Sequence, residues 1–290
     1  MGPLDLVKLP PLMQRSSGKV GIAIGLIDGP VLMRHPDLAR KSIREIPGKL
    51  AGSCLRAGSV ACLHGTFVAA MLVGKRGTVA PAICPDCTLL VRPIFAEHGS
   101  ADNGPMPSAT PEALAEAVVE VVDAGARVMN LSAALSRQSP KGEQELEEAL
   151  DYAAKRGVIS VAAAGNQGSV GSSAITRHPG VIPVAACDLQ GRPLSETNLG
   201  GSIGRRGLRA PGEGVTSLGS HGQSQTLSGT SAAAPFVTGA VALLWSEFPN
   251  ATAAQIRLAV TQTGGRRRRS IVPPLLDAWA AYRAMADQRT

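Results

Sequence analysis

Hydrophobic positions along this chain fall into two kinds of segment that alternate. Short, continuous apolar runs rich in β-branched residues read as strands: Val20–Asp28 (VGIAIGLID), Thr88–Phe95 (TLLVRPIF), Arg127–Ser132 (RVMNLS), Val158–Asn166 (VISVAAAGN) and Val181–Asp188 (VIPVAACD). Longer stretches between them carry helical signals. Pro111–Ala124 opens with proline at a first helical position and ends before Gly125, and Glu143–Arg156 is amphipathic and stopped by Gly157. Ser231–Trp245 is apolar nearly all round, the mark of a helix buried in a core. Ala253–Gln262, with Thr252 as N-cap, and Leu275–Ala286 predict two closing helices.

Strands apolar on both faces need cover on both sides. Alternating with helices, they predict an α/β fold with a doubly wound, mostly parallel sheet. Such sheets bind ligands at the carboxyl ends of their strands. Asp28, Ser132 and Asn166 all stand at such ends.

The 290 residues suffice for one large core; residues 1–17 read as an N-terminal extension and 18–290 as one domain including the closing helices. A hydrophobic content of 44% excludes a disordered chain, and only 3% aromatics leave Ala, Val, Leu and Ile to fill the interior. The N-terminus has no apolar stretch of signal-peptide length, and no run reaches the roughly 18 residues of a membrane span. These features predict a cytoplasmic protein with no membrane partner. Much of the net charge of +7 comes from Arg266–Arg269, read as a solvated basic loop. Without a zinc-finger or aromatic-interleaved basic motif, no nucleic-acid partner is expected. Five cysteines are an odd number, and Cys84-Pro85-Asp86-Cys87 lacks a second pair to complete a metal site. Reduced or locally paired thiols are expected, with no metal and no cofactor.

Three residues carry candidate chemistry. Ser231 follows Gly229-Thr230 at the start of the buried helix, where unpaired backbone N–H groups favour nearby negative charge. His64 precedes another buried helical stretch, and Asp28 ends a buried strand beside Gly29. Taken singly these are also what a Ser N-cap, a core histidine and a turn-forming Asp look like. Together they form a chemical set for nucleophilic catalysis, each near glycine.

The joint pattern resembles the subtilisin-like serine proteases (subtilases). It runs Asp, His, Ser through Ala23–Pro30 (AIGLIDGP) with His35-Pro36-Asp37-Leu38, His64-Gly65-Thr66 with Val79-Ala80-Pro81, and Gly229–Pro235 (GTSAAAP). Val128–Ser132 and Ala162–Asn166 (AAAGN) match the substrate-strand and oxyanion-hole segments, so the likeness spans roughly residues 18–263. It implies a serine endopeptidase in which Ser231 attacks, His64 is the base, Asp28 orients it and Asn166 donates to the oxyanion. It further implies that Ser132, Ala133 and Ala134 line the substrate, a peptide or precursor protein.

Asp28-Gly29-Pro30, Cys62 two residues before His64, and Pro93–Ala96 are similar to the proteases that mature cyanobactin-type ribosomal peptides. That narrower likeness implies removal of a leader from a precursor. The alternatives are a broad-specificity intracellular subtilase that degrades proteins and a catalytically silent subtilase-like module that binds a precursor peptide; the complete Asp28, His64, Ser231 and Asn166 set argues against the silent module. Departures are visible: Phe67 stands where most relatives have a second His, and Ala133-Ala134 replace glycines beside the substrate. The short interval from His64 to Pro81 leaves no room for the family's calcium loop, and Asp37 alone makes no calcium cage. The short segment ahead of Asp28 agrees with an intracellular enzyme that folds without a pro-domain, or with a chain from which one has been removed.

Overall fold

The structure, a computed structural model, describes residues 1–38, 42–97, 108–132, 140–219, 223–262 and 270–289. In chain order the elements are α1 (Pro3–Leu6), α2 (Pro10–Arg15), β1 (Ala23–Asp28), β2 (Ile43–Glu45), α3 (Val60–Val73), β3 (Thr88–Pro93), α4 (Pro111–Asp123) and β4 (Val128–Leu131). They continue with α5 (Pro140–Lys155), β5 (Ile159–Ala163), α6 (Ala174–Arg177), β6 (Val181–Cys187), α7 (Gly201–Arg206) and β7 (Leu208–Pro211). Then come β8 (Val215–Leu218), β9 (Ser224–Leu227), α8 (Thr230–Glu247), α9 (Ala253–Thr261) and α10 (Ala278–Ala286).

Seven strands form one parallel sheet in the order β2-β3-β1-β4-β5-β6-β7, and β8 and β9 pair as a separate antiparallel hairpin. Strand periodicity divides the core in two. Ile24, Leu26, Val128, Val161 and Val184 join α3 and α8 on one face, whereas Ile27, Met129, Leu131 and Ala162 join α4 and α5 on the other. A period of two therefore places Asp28 and Asn130 on the same face as Ile24 and Leu26, toward α3 and α8. Chain direction reverses at β1, with β3 on one side and β4 on the other, so the crevice at the carboxyl end of β1 is the natural binding position.

The expected fold class is the one found, and the differences lie at element ends. β1 starts at Ala23 because a turn closed by Ile22 N–H to the Lys19 carbonyl precedes it. The last helix starts at Ala278, where Asp277 caps the Ala280 N–H. Residues 274–276 instead bridge to Arg209 at the edge of β7, the Pro274 carbonyl accepting from the Arg209 N–H and the Leu276 N–H donating to the Arg209 carbonyl. Short β2, β7 and the β8–β9 hairpin escape a reading based on apolar runs. The segment before Gly18 contributes to the core: Val7, Leu9 and Leu12 are fully buried in the cluster that holds α8 and α10. Removing three such side chains from water is worth roughly 1.5–3 kcal/mol each. Among the described residues, no helix is long and apolar enough to cross a membrane.

Candidate active site

Asp28 is the last residue of β1 and fully buried. A buried carboxylate needs hydrogen bonds. Its Oδ1 accepts from the Gly29 N–H at 2.6 Å and lies 2.6 Å from Nδ1 of His64. His64 sits in the first turns of α3, whose N-cap Ser59 accepts from the Cys62 N–H. Two glycines permit this approach. A methyl on Gly29 would lie 2.0 Å from the Ala61 carbonyl oxygen, and one on Gly65 would lie 2.4 Å from both the Gly29 and Pro30 carbonyl oxygens. The turn after β1 is thus pressed directly against the α3 backbone. Burial by itself would lower the His64 pKa, but the Asp28 charge and hydrogen bond outweigh it and hold the imidazole above its ordinary value. With Nδ1 donating to the carboxylate, the buried Nε2 is left as a proton acceptor with no hydrogen-bond partner among the described residues.

Ser231 stands half-buried in the first turn of α8, at the positive end of an 18-residue helix; the N–H groups of Thr230, Ala232 and Ala233 on either side of it are already bonded, to Asn166 Oδ1 and to the Gly229 carbonyl. Pro235 lies four residues on and has no N–H to give the Ser231 carbonyl, which loosens the helix at this residue. Thr230 is buried and donates both its N–H (2.9 Å) and its hydroxyl (3.0 Å) to Oδ1 of Asn166; the hydroxyl in turn accepts from the Gly165 N–H at 3.1 Å. With Oδ1 occupied twice, the side chain's only remaining polar group is the Nδ2 donor, beside the residue that precedes Ser231. Gly229, at φ 120°, leaves room for it: a methyl there would meet the Asn166 amide at 3.0–3.2 Å. An amide donor and the positive end of a helix flanking a hydroxyl, with a carboxylate-oriented imidazole on the adjoining α3, are equipped for acyl transfer at a carbonyl.

Residues 19–274 match the Subtilase family of peptidases. The chain belongs to the subtilase family. Subtilisin DY from Bacillus licheniformis is 28% identical over 265 residues, covering 90% of this chain and 89% of that protein. Some curated relatives are longer: the chain spans about half (52%) of the thermostable alkaline protease of Halalkalibacterium halodurans. Among solved structures, the protease domain of PatA superposes with a TM-score of 0.82 at 28% identity, covering 93% of this chain and 97% of that one. The prenylagaramide maturation protease PagA gives 0.79 at 26% identity, over 95% and 98%. This subtilase is therefore a serine peptidase by family, with the expected subtilisin-like sheet.

Of the residues named from the sequence of this subtilase, Asp28 and His64 are joined directly, and Asn166 is joined to Thr230, the residue before Ser231; Asp28 ends β1 and Asn166 follows the end of β5, both at the carboxyl edge of the sheet. Ser132 lies there too, buried, its N–H directed at the Ile27 carbonyl (3.3 Å) and its hydroxyl accepting from the Asn130 side chain at 3.0 Å. Asn130 accepts from Thr238 of α8 at 2.9 Å, so the end of β4 is tied to the serine helix. Ala133, Ala134 and Arg266–Arg269 lie outside the described residues. The sequence reading missed Thr230, although it stands beside Ser231 in the same motif, and Asn198, which no local signal marks.

A loop in front of α3 forms a second wall. Cys54 and Cys62 are joined by a disulfide, while Cys84, Cys87 and Cys187 are free and buried. One local pair and three thiols account for the odd count. Glu97 accepts from the Leu55 and Arg56 N–H groups, both at 2.9 Å, and from the Ser59 hydroxyl at 3.1 Å. The loop so tied lines, with Pro30 and Phe95, a cleft of about 340 Å³. Cys54, Cys62 and Glu97 are also the described residues that come within metal-ligand range of one another, but joined sulfurs offer no thiolate.

Proposed function

We propose that this subtilase is an endopeptidase that removes the leader from a ribosomal precursor peptide, with Asp28, His64 and Ser231 as catalytic triad and Asn166 as oxyanion donor. The observation that carries the chemistry is the 2.6 Å Asp28–His64 bond, made by the helix α3 that packs against α8, whose first turn carries Ser231. Ser231 attacks the scissile carbonyl and His64 Nε2 takes its proton, the imidazolium stabilised by Asp28. Asn166 Nδ2 meets the oxyanion, and His64 then returns the proton to the leaving amine. Nothing here requires a metal or a cofactor. Nε2 and Ser231 are not hydrogen-bonded in this structure; the proposed step needs them to come within about 2.6–3.2 Å, directly or through one water.

The choice of a precursor peptide rests on the likeness to the patellamide and prenylagaramide maturation proteases PatA and PagA. Asp28-Gly29-Pro30 and the Cys62-Leu63-His64 sequence add to it. A general degradative peptidase is the alternative. A fluorophosphonate probe should label Ser231. Mass spectrometry of digests should show one or two cuts in a leader-bearing peptide and sparse cleavage of denatured casein. Extensive, motif-free fragmentation of casein would replace this reading with the degradative one, and no labelling would end it. The cytoplasmic location rests on the sequence alone, and the Cys54–Cys62 bridge pulls against it, since cystines persist mainly in oxidising compartments.

A further inference from the structure

We infer that Asn198 is a positioning residue for the oxyanion hole, acting through the backbone on both sides of Asn166; this rests on the oxyanion role proposed above. Thr230 fixes the Asn166 amide at its tip, but the side chain springs from a segment, residues 164–169, that lies outside any helix or strand and is exposed from Asn166 onward. Asn198 lies in a separate turn after β6 and uses both polar groups of its side chain and its backbone N–H on that segment. Its Nδ2 donates to the Ala164 carbonyl (3.2 Å) and to Oε1 of Gln167 (2.7 Å). Its Oδ1 accepts from the Gln167 N–H (3.0 Å), the Ser169 N–H (3.1 Å) and the Ser169 hydroxyl (3.0 Å). Its own N–H donates to the Gly165 carbonyl at 2.9 Å.

One side chain therefore bonds the residue two before Asn166 and the residue one after it. Gly165 makes this close seat possible: at φ 104° it has no Cβ, and a methyl there would lie 2.4 Å from Asn198 Nδ2. An oxyanion donor works only within about 2.7–3.1 Å of the developing charge, and misplacement by about 1 Å can cost on the order of 10²-fold. With its side chain committed to residues 164, 167 and 169, Asn198 acts through that segment, so its removal should slow the chemical step and leave ground-state binding largely intact.

The test is a double-mutant cycle on hydrolysis of a p-nitrophenyl ester, which acylates Ser231 without needing the cognate peptide, with Ser231→Ala as the background control. Asn198→Ala should lower kcat about 10- to 100-fold with KM within about threefold, a loss bounded by the roughly 10²–10³ expected for removing the donor itself. In an Asn166→Ala background the same change should cost less than about threefold, because a residue acting through Asn166 has nothing left to position. Should Asn198→Ala fail to fold, Asn198→Ser, whose hydroxyl keeps one bond to the segment, should show a smaller kcat loss with the same non-additivity. A folded Asn198 variant with kcat within twofold of wild type, or an equal loss in both backgrounds, overturns the inference. If Asn166→Ala alone leaves kcat unchanged, the oxyanion reading falls instead.

Discussion

The two halves of the active site are held by different forces. The acid–base half, Asp28 and His64, is buried and held by packing: β1 and α3 meet backbone to backbone at Gly29, Ala61 and Gly65, and one hydrogen bond joins the side chains. The proposed oxyanion half is anchored on the buried Thr230, but its exposed Asn166 and half-buried Asn198 are held by a dense set of polar bonds around an irregular segment. Packing that cannot be relaxed makes geometry and stability inseparable. Hydrogen bonds exchanged with water contribute about 1 kcal/mol each, so the exposed half can lose its geometry while the fold survives. Errors in the first half should therefore register in melting temperature as well as rate, and errors in the second in rate alone.

The largest effect lies where the halves meet. Ser231→Ala should abolish turnover; in subtilisin, a relative, loss of the nucleophile costs about 2 × 10⁶ in kcat. Its melting curve should stay within about 1 kcal/mol of wild type, because one hydroxyl is lost from a helix start already rich in alanine. Turnover retained near the wild-type rate would break both halves of the assignment at once, whereas a residual rate about 10³–10⁴-fold over the spontaneous one is what the oxyanion donors alone can sustain.

Asp28→Asn comes next, with a fall in kcat of order 10⁴ from a misdirected imidazole. This variant should also melt at lower temperature, since the amide is an imperfect partner for a buried ring. Asn166→Ala should cost about 10²–10³ in kcat with an unchanged melt, and a melt lowered as much as that of Asp28→Asn would erase the contrast between the halves.

Gly65→Ala sharpens the comparison by sign. Alanine within a helix ordinarily stabilises by roughly 0.5–1 kcal/mol over glycine. Here the added methyl would meet two backbone carbonyl oxygens at 2.4 Å, so the expected result is a loss of about 1–3 kcal/mol together with reduced activity. A stabilised, active variant in thermal melts and ester hydrolysis would show that the turn after β1 can retreat from α3.

The smallest effect is in pH. His64 must be neutral to act as base, and Asp28 raises its pKa, so kcat/KM should rise with pH through a midpoint above about 6.5. The stability linked to His64 has the opposite sense: it is present at low pH, where the imidazolium pairs with Asp28, and is lost as pH rises through the raised value. Asn166→Ala should leave the activity midpoint where it was. A profile flat from pH 5 to 8 would point to another base.

By itself the sequence determined what regular periodicity and chemically specific motifs can encode. The apolar runs were strands because only a sheet covered on both faces accommodates them, and the Asp28, His64 and Gly229–Pro235 blocks named their chemistry. Strand parity even decides that Asp28 faces α3, given the sheet. Tertiary structure alone decided the rest. Whether Gly65 is a helix defect or a contact surface depends on Gly29 lying against it, and whether Cys54 pairs with Cys62 or a more distant thiol depends on the loop that Glu97 gathers. Asn198 reads as one more turn residue until folding brings it 31–34 positions back along the chain onto the segment that carries Asn166. Hydrogen-bond partners so far apart leave no periodicity in a sequence, since the information that joins them is the path of the backbone between.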